Sequence, residues 1–134
     1  MTHIKYLALT AVLLLFGDIV WFKIAGSFFK EQIGTIARLE NGNLSPRLGA
    51  AAGVYILMTL SCYFFVFFWA PPETAGAAWA RGAFLGLSLY GVYDLTNRAI
   101  LETYPIPMAA VDMAWGTFLF STVAVIVFQA RKIF

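Results

Sequence analysis

Charge is scarce in this sequence: Asp, Glu, Lys and Arg together make up 12% of its 134 residues, against about 25% in a water-soluble domain. That shortage excludes an ordinary soluble fold. Runs of Lys and Arg are missing, as are Gly-rich phosphate loops, and the net charge is only +2, so nucleic acids and nucleotides have no support as partners. There is one histidine and one cysteine. His3 is near the start and reads as a solvated bystander, which leaves a Ser-His-Asp arrangement without its base. Cys62 has no second cysteine for a disulfide or a zinc site and no histidine to activate it.

What the chain has instead is apolar length, with 61% hydrophobic residues. Four stretches reach the roughly 20 residues needed to cross a hydrocarbon layer of about 30 Å. The expected fold is all-α and polytopic, a single transmembrane four-helix domain over residues 1–134 with spans at about 4–22, 46–69, 74–101 and 108–128. A cleaved signal peptide does not suit the first stretch, because Asp18, Trp21, Phe22 and Lys23 would stand between its apolar core and any cleavage site. Residues 27–40 place Phe28, Phe29, Ile33, Ile36, Ala37 and Leu39 on one half of a helical wheel, opposite Lys30, Glu31, Gly34, Thr35 and Arg38. This pattern predicts a short amphipathic helix lying in the membrane interface between the first and second spans. Asn41-Gly42-Asn43 reads as a turn, and Ser45-Pro46 as the cap and first residue of the next helix. Gly49 and Gly53 form a small-xxx-small pair suited to close helix contact.

The third stretch carries the run YDLTN at 93–97, followed by Arg98. Gly82, Gly86, Tyr90, Asp94 and Asn97 recur at helical spacing, so the glycines and the polar residues share one stripe. Because chain direction alternates between spans, Asp18, Asp94 and Asp112 are all expected roughly 6 to 10 Å inside the same leaflet boundary. An aspartate at mid-membrane costs about 2.5 to 3.5 kcal/mol on the insertion scale and turns toward protein or water. Three that meet would repel, leaving a protonated acid beside an ionised base. A divalent cation such as magnesium would relieve the same repulsion, with Asp18, Asp94 and Asp112 as its carboxylates and Asn97 adding an amide oxygen. Tyr90, Tyr93, Trp21 and Trp115 would line the ligand site, with Lys23 and Arg98 at its rim. Each residue also has a plain structural role open to it. Asp94 and Arg98 suit an i, i+4 surface ion pair, Asp18 suits a shallow position beside Lys23, Asp112 suits a helix start, and the aromatics suit an interface belt. Asp18-Ile-Val-Trp21 is echoed by Asp112-Met-Ala-Trp115.

With YGVYDLTN at 90–97, the DIVW and DMAW stretches and Trp115-Gly116, the chain resembles a family of small bacterial inner-membrane proteins catalogued as a domain of unknown function. The resemblance covers essentially the whole chain and implies a four-span protein of the bacterial cytoplasmic membrane, without supplying catalytic residues or a substrate. Lys and Arg are evenly divided between the two faces; the basic start and the Arg131-Lys132 tail favour cytoplasmic termini. Three functions fit. The first is a pocket for a membrane lipid or other amphiphilic small molecule, with Asp94 and Asp112 as an acid/base or metal pair and Asp18 completing the cluster. The second is a proton-coupled transporter acting as a homo-oligomer, and the third a non-catalytic subunit bound to a membrane protein partner.

Overall fold

The computed structural model describes residues 2–133. Its order is α1 (Thr2–Ile33), a two-stranded hairpin of β1 (Leu39–Glu40) and β2 (Asn43–Leu44), α2 (Leu48–Cys62), α3 (Ala75–Ile100) and α4 (Ile106–Ile133). The last stretch of α2 widens into a π-helical segment, Tyr63–Phe68. Three apolar segments are long enough to cross a membrane: His3–Ile33, Leu48–Phe68 and Ile106–Ile133. α3 has the length, at 26 residues or about 39 Å, but spends many positions on Ala and Gly and carries Arg81, Asp94, Asn97 and Arg98.

Those small residues have a packing purpose. Between helices in lipid there is no water to expel, so association depends on close approach and on polar contacts. A methyl group at Gly82 would overlap the Phe120 carbonyl, and one at Gly86 would overlap the Gly116 carbonyl, so α3 and α4 touch backbone to backbone. Gly116 in turn makes room for the Tyr90 ring. α3 starts on Thr74, whose Oγ1 accepts from the Ala77 N–H at 3.1 Å. The main core fills the space among α1, α2 and α4 with Leu14, Cys62, Val66, Phe67, Phe120 and Val127.

The structure departs from the expected layout in three places. No separate interfacial helix forms over 27–40: α1 runs on without a break to Ile33, and residues beyond it turn into the hairpin. Part of the apolar face expected to meet lipid is used for protein packing, since Phe29 is 2% exposed and sits with Ala25 against Tyr104, Met108 and Ala109, while Ile36 and Leu39 stay exposed. Secondly, α2 begins at Leu48 rather than Pro46, and Arg47 precedes it without a side-chain cap. Ser45 is engaged elsewhere, its Oγ and carbonyl accepting from Arg38 at 2.9 and 2.7 Å, while Arg38 also pairs with Glu40. Thirdly, among the described residues nothing lies within 4 Å of where an added methyl group would sit on Gly49 or Gly53, so that pair does not bring a second helix close. The turn itself is as expected. Asn41 and Gly42 have φ of 50° and 76°, the two left-handed positions of a tight type I′ hairpin.

Candidate functional site

Asp18 lies on the inner face of α1 and is 5% exposed. Each of the other three helices sends it one aromatic donor. Trp115 of α4 donates its Nε1–H to Oδ1 at 2.8 Å, Tyr55 of α2 donates to Oδ2 at 3.2 Å, and the Tyr90 hydroxyl of α3 lies 3.3 and 3.4 Å from the two oxygens. Trp21, one turn after Asp18, stacks on Trp115 with centroids 4.5 Å apart and planes within 3°. The echoed Asp-x-x-Trp segments of α1 and α4 therefore meet through their tryptophans.

Asp94 is fully buried. Its Oδ1 accepts from the Tyr104 hydroxyl at 2.6 Å, while its Oδ2 is buried without a partner. Tyr104, in the connection between α3 and α4, is 2% exposed. Burial, reinforced by the adjoining Asp94 carboxyl, pushes its pKa above the ordinary phenol range and keeps it a donor. The alternative reading, an Asp94–Arg98 ion pair, is not what forms among the described residues: Arg98 donates instead to the Tyr104 carbonyl at 3.1 Å. Asp112, half-buried near the start of α4, lies within electrostatic reach of both Asp94 and Asp18.

The three carboxyl groups thus share a region without converging on one point. Among the described residues no three His, Cys, Asp or Glu side chains gather closely enough to hold a metal ion, so the three carboxylates do not form one cation site. The reason is local: Asp18 is committed to indole and phenol donors, and one oxygen of Asp94 to Tyr104. Tyr93 is 57% exposed on α3, Asn97 is half-buried, and Lys23 is exposed, with no carboxylate partner among the described residues. Two grooves lie away from these residues. One of about 630 Å³ runs beside the hairpin, past Arg38, Ser45 and Arg47, and an apolar one of about 490 Å³ lies between Leu7 and the Phe64–Phe68 edge of α2.

Sequence reasoning missed Tyr55 and Tyr104, two of the four donors that hold the carboxylates. It also set His3 aside, although Nδ1 of His3 and the Tyr63 hydroxyl are in hydrogen-bond contact at 2.7 Å. A signal for part of this was present in the spacing Tyr55, Thr59, Tyr63, which marks one polar stripe on α2.

The model of a family described as "Predicted membrane protein (DUF2177)" matches residues 2–129. The chain belongs to this family. No match was found to a curated protein or to a solved structure. As a member of the DUF2177 family it is a predicted membrane protein, in agreement with the resemblance carried by YDLTN and the two Asp-x-x-Trp segments.

Proposed function

We propose that the chain is a four-span protein of the bacterial inner membrane with both termini in the cytoplasm, and that its acidic and aromatic centre binds the polar end of a lipid-like or other amphiphilic molecule. Support for the fourth span comes from the backbone contact of α3 with α4, an apolar helix of spanning length from which it cannot be separated without exposing Gly82 and Gly86.

One observation carries the ligand reading. Among the described residues two buried polar side-chain atoms have no partner, Oδ2 of Asp94 and Nε1 of Trp21, the first wanting a donor and the second an acceptor. Trp21 packs against the same small cluster that contains Tyr104, the partner of Asp94. An unsatisfied buried group costs about 1–3 kcal/mol, and most such groups in folded proteins are paired. A head group with a hydroxyl or ammonium donor beside an acceptor oxygen satisfies both atoms. Asp112 adds a second carboxyl for acid-base work on that head group, next to Asp94.

Native mass spectrometry of protein gently extracted from its own membrane tests this, comparing wild type with the Asp94→Asn/Asp112→Asn double variant. A small molecule or lipid that co-purifies with the wild type and is lost from the variant is expected. Bare protein in both samples removes the ligand reading. A second reading, proton-coupled transport, draws on the electrostatic linkage of Asp112 to Asp94 and Asp18, since buried carboxyl groups serve as coupling sites in such proteins. Ligand uptake into proteoliposomes that follows an imposed pH gradient separates it from the first.

A further inference from the structure

At the end of the bundle away from the aspartates, α2 finishes in its π-helical turn. The Trp69 N–H there donates to the Phe64 carbonyl at 3.1 Å, five residues back rather than four. A turn this wide sorts the aromatic run into two sides. Val66 and Phe67 are buried in the core, whereas Phe64, Phe65 and Phe68 are exposed. Phe64 stacks on Phe68 with centroids 5.6 Å apart, and Phe65 meets Phe64 edge-on at 5.2 Å. Together with Leu7 of α1 and Leu60 of α2 they wall the apolar groove of about 490 Å³. Widened helical turns of this kind are rare and recur at functional sites.

We infer that this groove seats one acyl chain of an anionic phospholipid, with the lipid phosphate at its mouth beside His3 and Arg131. α1 and the Leu48–Phe68 segment are both long and apolar enough to cross a membrane, and the exposed rings between them face hydrocarbon. From Leu60 to Phe68 the groove runs about 12 Å along the helix axis, most of the roughly 15 Å depth of one leaflet. Rings already stacked on one another lose little freedom when a chain lies against them. Along α1, His3 is about 22 Å from Asp18, so this site stands apart from the acidic centre and needs neither Asp94 nor Asp112.

Charge selects the head group. Tyr63, which lines the groove, ties its mouth to both polar residues. Its hydroxyl is in hydrogen-bond contact with Nδ1 of His3 at 2.7 Å, and the exposed His3 ring lies edge-on to Phe68 at 6.0 Å. With the phenol donating to Nδ1, His3 carries its hydrogen on Nε2 and offers a donor to a phosphate oxygen. Arg131 of α4 is half-buried over the Tyr6 and Phe67 rings, at 5.7 and 5.4 Å, and lies within electrostatic reach of Tyr63. Among the described residues its guanidinium has no carboxylate partner. The same end of the bundle carries Lys5, Arg81 and Lys132 against one acidic side chain, Glu73. A basic mouth above an apolar groove matches a phosphate above an acyl chain, and the excess of cations favours a lipid with net negative charge over a zwitterion.

The test is native mass spectrometry of the purified full chain in a neutral detergent, titrated with dioleoyl phosphatidylglycerol or with dioleoyl phosphatidylcholine, which has the same chains and no net charge. Wild type should bind phosphatidylglycerol at least about fivefold more tightly, the effect of one cation beside an anionic head group. Arg131→Gln should remove most of that preference, and Arg131→Lys should keep it. Phe64→Ala/Phe68→Ala, at two exposed rings, should weaken both lipids alike without disturbing the core. Equal binding of the two lipids by wild type overturns the proposal, as does full preference in Arg131→Gln or wild-type affinity in the double alanine variant. Asp94→Asn/Asp112→Asn should still bind phosphatidylglycerol as wild type does. Loss of the lipid from that variant would place it at the acidic centre, overturning the groove site while leaving the other reading in force.

Discussion

Gly86→Ala should loosen the bundle by forcing α3 away from α4. The added methyl group would overlap the Gly116 carbonyl oxygen and carbon and crowd the Phe120 Cβ, so two of its three nearest obstacles are backbone atoms that cannot rotate aside. Overpacking a tight interior costs about 1–3 kcal/mol, and immovable backbone puts this site at the upper end. Alanine recovers up to about 1 kcal/mol of helix propensity relative to glycine, leaving a net loss of about 2 kcal/mol. Gly49→Ala is the matched control: the same change, in a helix of the same chain, into open space, so only the propensity gain remains. Unfolding of both variants in detergent micelles, followed by loss of helical signal with denaturant, measures the difference. If Gly86→Ala is as stable as Gly49→Ala, the backbone contact between α3 and α4 is not what holds them together. The effect should extend to the acidic centre, since Tyr90 and Asp94 ride on the same helix.

Other expectations follow from the same geometry. Trp115→Phe keeps an aromatic surface against Trp21 but removes the N–H that reaches Asp18 at 2.8 Å. A hydrogen bond contributes about 0.5–1.5 kcal/mol net, so this variant should lose stability by about 1 kcal/mol in the same unfolding measurement, and Trp115→Ala should lose more. Tyr104 should ionise above the ordinary tyrosine range, because burial and the Asp94 carboxyl both oppose its phenolate. A difference absorbance titration of wild type against Tyr104→Phe should therefore show no Tyr104 phenolate at the pH where exposed tyrosines titrate. A normal titration would mean that the Tyr104–Asp94 contact is open to water.

Much of the layout was legible because membrane helices advertise themselves by length and by spacing. The stripe from Gly82 through Asp94 could be read from its four-residue interval, and Gly82, Gly86 and Tyr90 do face α4. The amphipathic pattern of 27–40 was misread for a physical reason. A helical wheel separates apolar from polar faces but does not say whether the apolar face meets lipid or another helix, and Phe29 met Tyr104 and Met108. The donors to the aspartates were harder still. Tyr55 reaches Asp18 because of how α2 is rotated against α1, and Tyr104 reaches Asp94 because the connection after α3 folds back on it. Neither rotation nor return is written in local spacing. The Asn41-Gly42 turn, which depends on two residues alone, was readable in full.

The gathering of three helices around Asp18 has a consequence for how the protein is made. α1 is synthesised first, and its aspartate then has none of its partners. Trp115, which makes the shortest of the bonds to it, follows 97 residues later. At about 5–20 residues per second, the wait lasts roughly 5 to 20 seconds. Until Tyr55 follows, 37 residues behind it, the carboxyl group on the newborn helix has none of these donors and must stay near the bilayer edge, hold a proton, or be sheltered by the insertion machinery. Synthesis of α4 ends the delay, so the last helix to arrive closes a cage left open from the first.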